Sequence, residues 1–263
     1  GGMENASNIF YSENSITGTR QNEGLIAHEV AHQWFGNSVS ESDWQHIWLS
    51  EGFATYFTQL YIEAIYGRER LDEGMDRART AVVNYYKRAP NAPLVNPSIT
   101  DPNQHLNRNS YQKGAWVLHM LRTKVGDDAF WEGIRAYYAT YRDQNATSEQ
   151  FRDIMAAASG QNLDTFFQQW LYEAGQPILS GEWHYDRNEQ RVQISLKQTQ
   201  PGHVFAFPLQ IETLFTDGTR QITEMMIQEP AEVYTFSVDK PVEQVSLDPA
   251  TLLLFDGTAF GKR

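Results

Sequence analysis

From Ser180 onward the apolar residues of this chain fall on alternate positions, whereas before that point they recur at three- and four-residue spacing. No single layer of helices or strands satisfies both patterns, so the chain must build two kinds of structure. Val192, Ile194 and Leu196, then Phe205, Phe207, Leu209 and Ile211, read as strands with one buried face, and Asp217-Gly218 supplies a tight turn between two of them. This part predicts a small all-β sandwich. Ahead of it, Leu25, Ile26, Val30, Trp34 and Phe35 place a helix over 23–35 that stops at Gly36-Asn37. A second helix is predicted over 50–66, with Ser50 as N-cap and Gly67 beyond its end. A mostly helical body follows to residue 178, broken by a Pro- and Asn-rich loop over 89–109, with a capping box at Thr147 and Gln150 and an N-cap at Asn162. Residues 1–13, with Ile9, Phe10 and Tyr11, suit a short strand running into a polar turn over 12–21. The expected fold class is α+β, with a mostly helical domain over 1–178 and a β-sandwich of immunoglobulin-like type over 179–263.

With 263 residues, 41% of them hydrophobic, the chain can bury a sizeable core. A net charge of -12 and a pI near 5.0 set it against nucleic acid and anionic membrane surfaces as partners. The absence of cysteine excludes disulfides and thiol catalysis. No run of 18 apolar residues is present, so no membrane segment is expected. The start, Gly1-Gly2-Met3-Glu4-Asn5, has neither an initiator Met nor the regions of a signal peptide, and reads as the edge of a piece trimmed from something longer. That leaves the compartment open, cytoplasmic or exported.

The chemistry is concentrated at His28-Glu29-Val30-Ala31-His32. Residues four apart share one helix face, so both imidazoles reach one ion. Glu29 lies about 100° around the helix from His28, where it approaches a water on that ion without ligating it, as a general base for hydrolysis must. Glu51 adds a carboxylate at the start of the next helix, with 18 residues between it and His32. Two neutral imidazoles and one carboxylate around an open position form the arrangement of catalytic zinc, in contrast to a closed four-ligand structural site. The expected metal ligands are therefore His28, His32 and Glu51 around one Zn²⁺, with Glu29 as base. His105, His119, His184 and His203 lack ligand spacing and read as structural or solvent-facing.

Gly-Gly-Met-Glu-Asn at the start, His-Glu-Val-Ala-His-Gln-Trp-Phe-Gly-Asn over 28–37, Trp-Leu-Ser-Glu-Gly-Phe-Ala-Thr-Tyr-Phe over 48–57 and Tyr111-Gln112-Lys113-Gly114 together resemble the M1 family of aminopeptidases, the aminopeptidase N type. The resemblance implies a thermolysin-like catalytic domain of gluzincin type, closing near Phe166-Phe167-Gln168-Gln169-Trp170 and Gly175-Gln176-Pro177, and peptide substrates with a free N-terminus. It also implies that Glu4 binds the substrate's α-amine, that Met3 lines the pocket for the first side chain, and that Gly2 and Asn5 belong to the substrate-binding segment. Tyr111 would donate to the oxyanion. The family usually carries a preceding β-rich domain with a second amine-binding acid, which is missing here, so the isolated chain is expected to bind zinc and to be a weak enzyme. Two departures, His46 where many members have an acid and Ser50 where Asn is frequent, bear on how the zinc site is oriented. The leukotriene A4 hydrolase branch, a zinc epoxide hydrolase, shares the metal motif, but its additional tyrosine five residues before the catalytic one is Leu106 here. A silent binding module that kept the fold is the remaining alternative, and intact Glu29 and Tyr111 count against it.

Overall fold

The computed structural model describes residues 1–263 as a mixture of helix and sheet, 44% and 24% of the chain. It divides into two compact units, Gly1–Ala174 and Gly175–Arg263. In the first, helix α1 (Glu23–Ala31) and helix α2 (Trp48–Tyr66) pack together, and α3 (Arg68–Tyr86) and α4 (Gly114–Val125) close on α2 from its other sides. Trp48, Phe53, Ala54 and Tyr56 are wholly buried, so α2 is the central strut of the unit. Phe53 belongs to an aromatic cluster with Phe35, Tyr137 and Phe151, at centroid distances of 4.7, 5.8 and 5.1 Å. Helices α5 (Asp127–Tyr141), α6 (Ser148–Ser159) and the short α7 (Asp164–Phe167) complete the body. The capping box expected at Thr147 and Gln150 opens α6.

Several local boundaries differ from the sequence reading. The first residues form a hairpin in place of one strand: β1 (Gly2–Met3) pairs antiparallel with β2 (Phe10–Tyr11), and Ser7 takes a positive φ in the connection. Helix α1 ends at Ala31, four residues early, because the next turn tightens and Gly36, at φ +122°, turns the chain into β3 (Val39–Glu41). β3 pairs in parallel with β4 (Gln144–Ala146). Ile26, Val30 and Trp34, counted as helix-packing residues, are exposed on the outer face of that segment. Helix α2 begins at Trp48, since Asp43 caps the 3-10 turn Trp44–His46, which runs directly into the helix. Ser50 is thus not a cap but a buried residue of its first turn. At α7, Leu163 holds the cap position, and the Asn162 side chain accepts from the Asp164 amide.

The second unit holds two sheets. One runs in the order β11 (Asp256–Lys262), β5 (Ile178–Asp186), β6 (Arg191–Gln198), β9 (Ala231–Ser237); the other runs β10 (Val242–Leu247), β7 (Phe207–Phe215), β8 (Arg220–Ile227). Val192, Ile194 and Leu196 on β6 and Phe207, Leu209 and Ile211 on β7 are buried at alternate positions, as the period of two requires. Asp217 and Gly218 turn β7 into β8, Gly218 at φ +82°. All pairings in the two sheets are antiparallel except β11 with β5.

Candidate active site

Helix α1 carries His28, and His32 caps its end one turn on; their Nε2 atoms lie 3.1 Å from each other. Glu51, in the first turn of α2, places Oε2 3.3 Å from both. A tetrahedral ion bound at about 2.0–2.1 Å holds its ligand atoms about 3.3 Å apart. The three atoms already form one face of that tetrahedron, so the residues present fit zinc. The outer nitrogen of His32 is fixed as well: Nδ1 lies 3.1 Å from the Phe35 carbonyl and 3.1 Å from Ser50 Oγ. A carbonyl only accepts, so Nδ1 carries the proton and Nε2 presents its lone pair to the centre. Any side chain at Gly36 would come within 2.4 Å of Ser50 Oγ and 3.0 Å of His32 Nδ1, besides being strained at that φ. Ser50, misread as a cap, is thereby part of the device that aims His32.

Charge reinforces geometry. Burial alone would raise the Glu51 carboxyl, but the neighbouring imidazoles of His28 and His32 and the Tyr111 hydroxyl outweigh it and hold the group at about 2, as an anion. Burial works against a charged His32, yet Glu51 and Glu4 raise it above its ordinary value, so the pocket favours positive charge. Glu29 is buried and its carboxyl is raised, first by desolvation and then by Glu4 and Glu51, against the pull of the two histidines. That is the environment of a proton acceptor. Strand β1 covers it: a Cβ on Gly2 would meet the Glu29 carboxyl carbon at 2.5 Å.

Glu4, Glu29 and His32 offer ligand atoms within 4.8 Å of one another, so Glu4 lies beside the histidine pair. Two amides that the sequence reading passed over hold it there. Gln33 Nε2 donates to the Glu4 carbonyl at 3.0 Å, and Asn37 Nδ2 donates to the same oxygen. Both sit in the motif over 28–37, where their signal was a pair of amides flanking the turn. Met3 is half exposed, and Asn5 is exposed with its carbonyl accepting from the Asn8 amide. Tyr111 lies on a π-helical turn, Asn109–Lys113, and donates to Glu51 Oε1 at 2.7 Å. Its ring runs nearly parallel to His28 at 6.0 Å. Burial and then Glu51 push the phenol above its ordinary pKa, so it is a donor at neutral pH. Leu106 is exposed in the loop before it. His46 is buried and bonds Ser148 Oγ at 2.8 Å through Nδ1, with no hydrogen bond to His28, His32 or Glu51 among the described residues.

The spacing between Glu51 and Tyr111 is set by two glycines. A Cβ on Gly52 would meet Gly114 Cα at 2.8 Å, Gly114 C at 3.0 Å and the Ser110 carbonyl at 3.2 Å, all backbone atoms that cannot rotate away. Gly52→Ala gains about 1 kcal/mol of helix propensity but overpacks by about 1–3 kcal/mol. The expected result is a urea midpoint lowered by the equivalent of about 1 kcal/mol, with Tyr111 moved off Glu51. Gly24→Ala is the control, because its Cβ would meet only Thr58 Cγ2 at 3.7 Å. Equal stability of Gly52→Ala and wild type would contradict this reading of the crossing.

Comparison with known proteins places the site in context. Residues 1–170 match the family model described as the peptidase family M1 domain. The chain is 32% identical over 196 residues to aminopeptidase N of Lactococcus lactis subsp. lactis, covering 69% of this chain and 23% of that protein. It is 28% identical over 214 residues to leucine aminopeptidase 2-1 of Meyerozyma guilliermondii, covering 75% and 34%. Among solved structures, Legionella pneumophila aminopeptidase A in complex with aspartic acid aligns with a TM-score of 0.72 at 18% identity, over 90% of this chain and 27% of that one, which bears on the fold alone. The chain thus spans only about a quarter to a third of the length of these relatives.

Proposed function

This chain belongs to peptidase family M1, and from that membership we propose that it is the catalytic part of a zinc-dependent aminopeptidase that removes the N-terminal residue from peptides. The observation that carries the proposal is the convergence of His28, His32 and Glu51 at 3.1–3.3 Å, with the Tyr111 hydroxyl on the same carboxylate. A zinc ion held by those three residues supplies, when bound, a Lewis acid that polarises a carbonyl and acidifies water.

The chain's own residues do the rest. Glu29 takes the proton of the attacking water and returns it to the departing amine, so a single carboxylate serves both halves of the reaction. Tyr111 donates to the oxygen of the scissile carbonyl as it gains charge, an interaction worth about 10²–10³ in rate for donors of this kind. Glu4 accepts charge-assisted hydrogen bonds from the substrate's ammonium, which rewards an unblocked terminus. Met3 lies where the first side chain would pass, and the Gly2 and Asn5 backbone runs beside the peptide. No covalent intermediate is required.

The test is hydrolysis of one peptide with its N-terminus free and acetylated, with and without chelator. Cleavage of the free peptide is expected to exceed that of the acetylated one by about tenfold or more, the worth of a charge-assisted hydrogen bond, and to stop on chelation. Comparable cleavage of both would refute amine-directed action, and chelator resistance would refute the metal.

A further inference from the structure

A trough of about 480 Å³ lies between α2, α3 and the start of α4. Its lining contains Arg77, Arg88 and Arg108 and not one carboxylate. In a chain with 33 acidic and 21 basic side chains, a lining with three arginines and no carboxylate runs against the overall balance. Arg77 has only Glu73, at 3.8 Å, and among the described residues Arg88 and Arg108 have no carboxylate within ion-pair distance. Guanidinium forks of this kind match carboxylates two bonds at a time.

A second observation narrows the ligand. Gln112 lines the same trough, and its Oε1 atom is buried and accepts no hydrogen bond among the described residues. It calls for an N–H donor, which a bare oxyanion lacks and a peptide supplies at every residue. Asn84, on α3, offers a further amide to the trough. The trough is also continuous with the elements of the candidate site, since Thr55 stands one turn beyond Glu51 on α2 and Gln112 follows Tyr111.

We propose that this trough binds the acidic segment of a peptide, its carboxylates on Arg88 and Arg108 and a backbone N–H on Gln112. The proposal deepens the peptidase reading and rests on it, because it assigns peptides carrying Asp or Glu as a preferred substrate class. It implies that acidic peptides are drawn to this part of a chain whose net charge otherwise repels them.

Binding is measured by fluorescence anisotropy on the full chain in chelator, where no hydrolysis intervenes, with a labelled hexapeptide bearing three Glu and its counterpart bearing three Lys. The Glu peptide is expected to bind about tenfold or more tightly than the Lys peptide, with affinity falling as salt rises. The double variant Arg88→Gln/Arg108→Gln is expected to lose that margin, whereas Arg70→Gln, on α3 and paired with Glu73 at 2.6 Å, keeps it. Gln112→Leu separates peptide from simple anion: it should weaken the Glu peptide and leave competition by citrate unchanged. Equal binding of the two peptides, or an unchanged margin in the double variant, would overturn the proposal, and so would Gln112→Leu binding the Glu peptide as tightly as wild type. Charge-selective binding without any hydrolysis on adding zinc would count against the peptidase reading alone, and hydrolysis without charge-selective binding against the trough alone.

Discussion

Glu29→Gln is expected to lower kcat/KM on aminoacyl anilides by about 10²–10⁴-fold, the usual worth of a positioned general base, while the chain still binds one zinc ion. The substitution keeps size and hydrogen-bonding reach but removes the ability to take a proton, so it separates the base from the packing around it. Glu29 is buried against Gly2 of β1, and its carboxyl is raised by desolvation before any neighbour is counted. A residue serving only to fill that space would be replaced by Gln with little kinetic effect. Steady-state rates together with metal content by calorimetry decide the matter, and a variant with at least a tenth of wild-type kcat/KM would remove Glu29 from the reaction.

The second large effect is expected at Glu51. Glu51→Gln leaves two imidazoles and withdraws the one carboxylate that faces both at 3.3 Å. Loss of a partner that only supports a metal ligand typically costs 10–100-fold in affinity, so loss of the ligand itself should exceed about 10²-fold. The readout needs no substrate. At zinc concentrations about a hundredfold above its dissociation constant, wild type gains about 2.7 kcal/mol of stability from binding, and thermal unfolding should shift accordingly. In Glu51→Gln the gain should fall to about 0.4 kcal/mol or less at the same zinc concentration. An unchanged zinc shift would mean that the ion sits elsewhere.

How much of this was legible depended on the range of the interactions. The His28–His32 pair is a property of one helical turn, and spacing alone placed it on one face. The strand alternation from Val192 to Ile211 was legible for the same reason, since each residue reports only on its own side of a sheet. The end of α1 was not legible, because it is decided by the bond from His32 Nδ1 to the Phe35 carbonyl and by the turn at Gly36, which serve the site and override apolar spacing. Ser50 has the composition of a cap, but the 3-10 turn that Asp43 caps, seven residues earlier, runs straight into the helix, and Ser50 was left to face His32. Trp34 carries the pattern of a core residue and is exposed, because periodicity marks an apolar face without naming what lies on it. The arginines of the trough are dispersed over α3, the turn beyond its end and the segment before Tyr111, at 77, 88 and 108, and no local pattern joins them.

Gly52 and Gly114 bear on how sequences of this kind change over time. Each stands against the other's main chain, so the smallest replacement at either position adds a methyl that no smaller residue across the contact can absorb. Most packed pairs drift by exchange, one side shrinking as the other grows. Here both partners are already at the lower limit of size, and no such exchange exists. The two positions are therefore kept or lost together, and a lineage that loses either one loses the distance between Glu51 and Tyr111 with it.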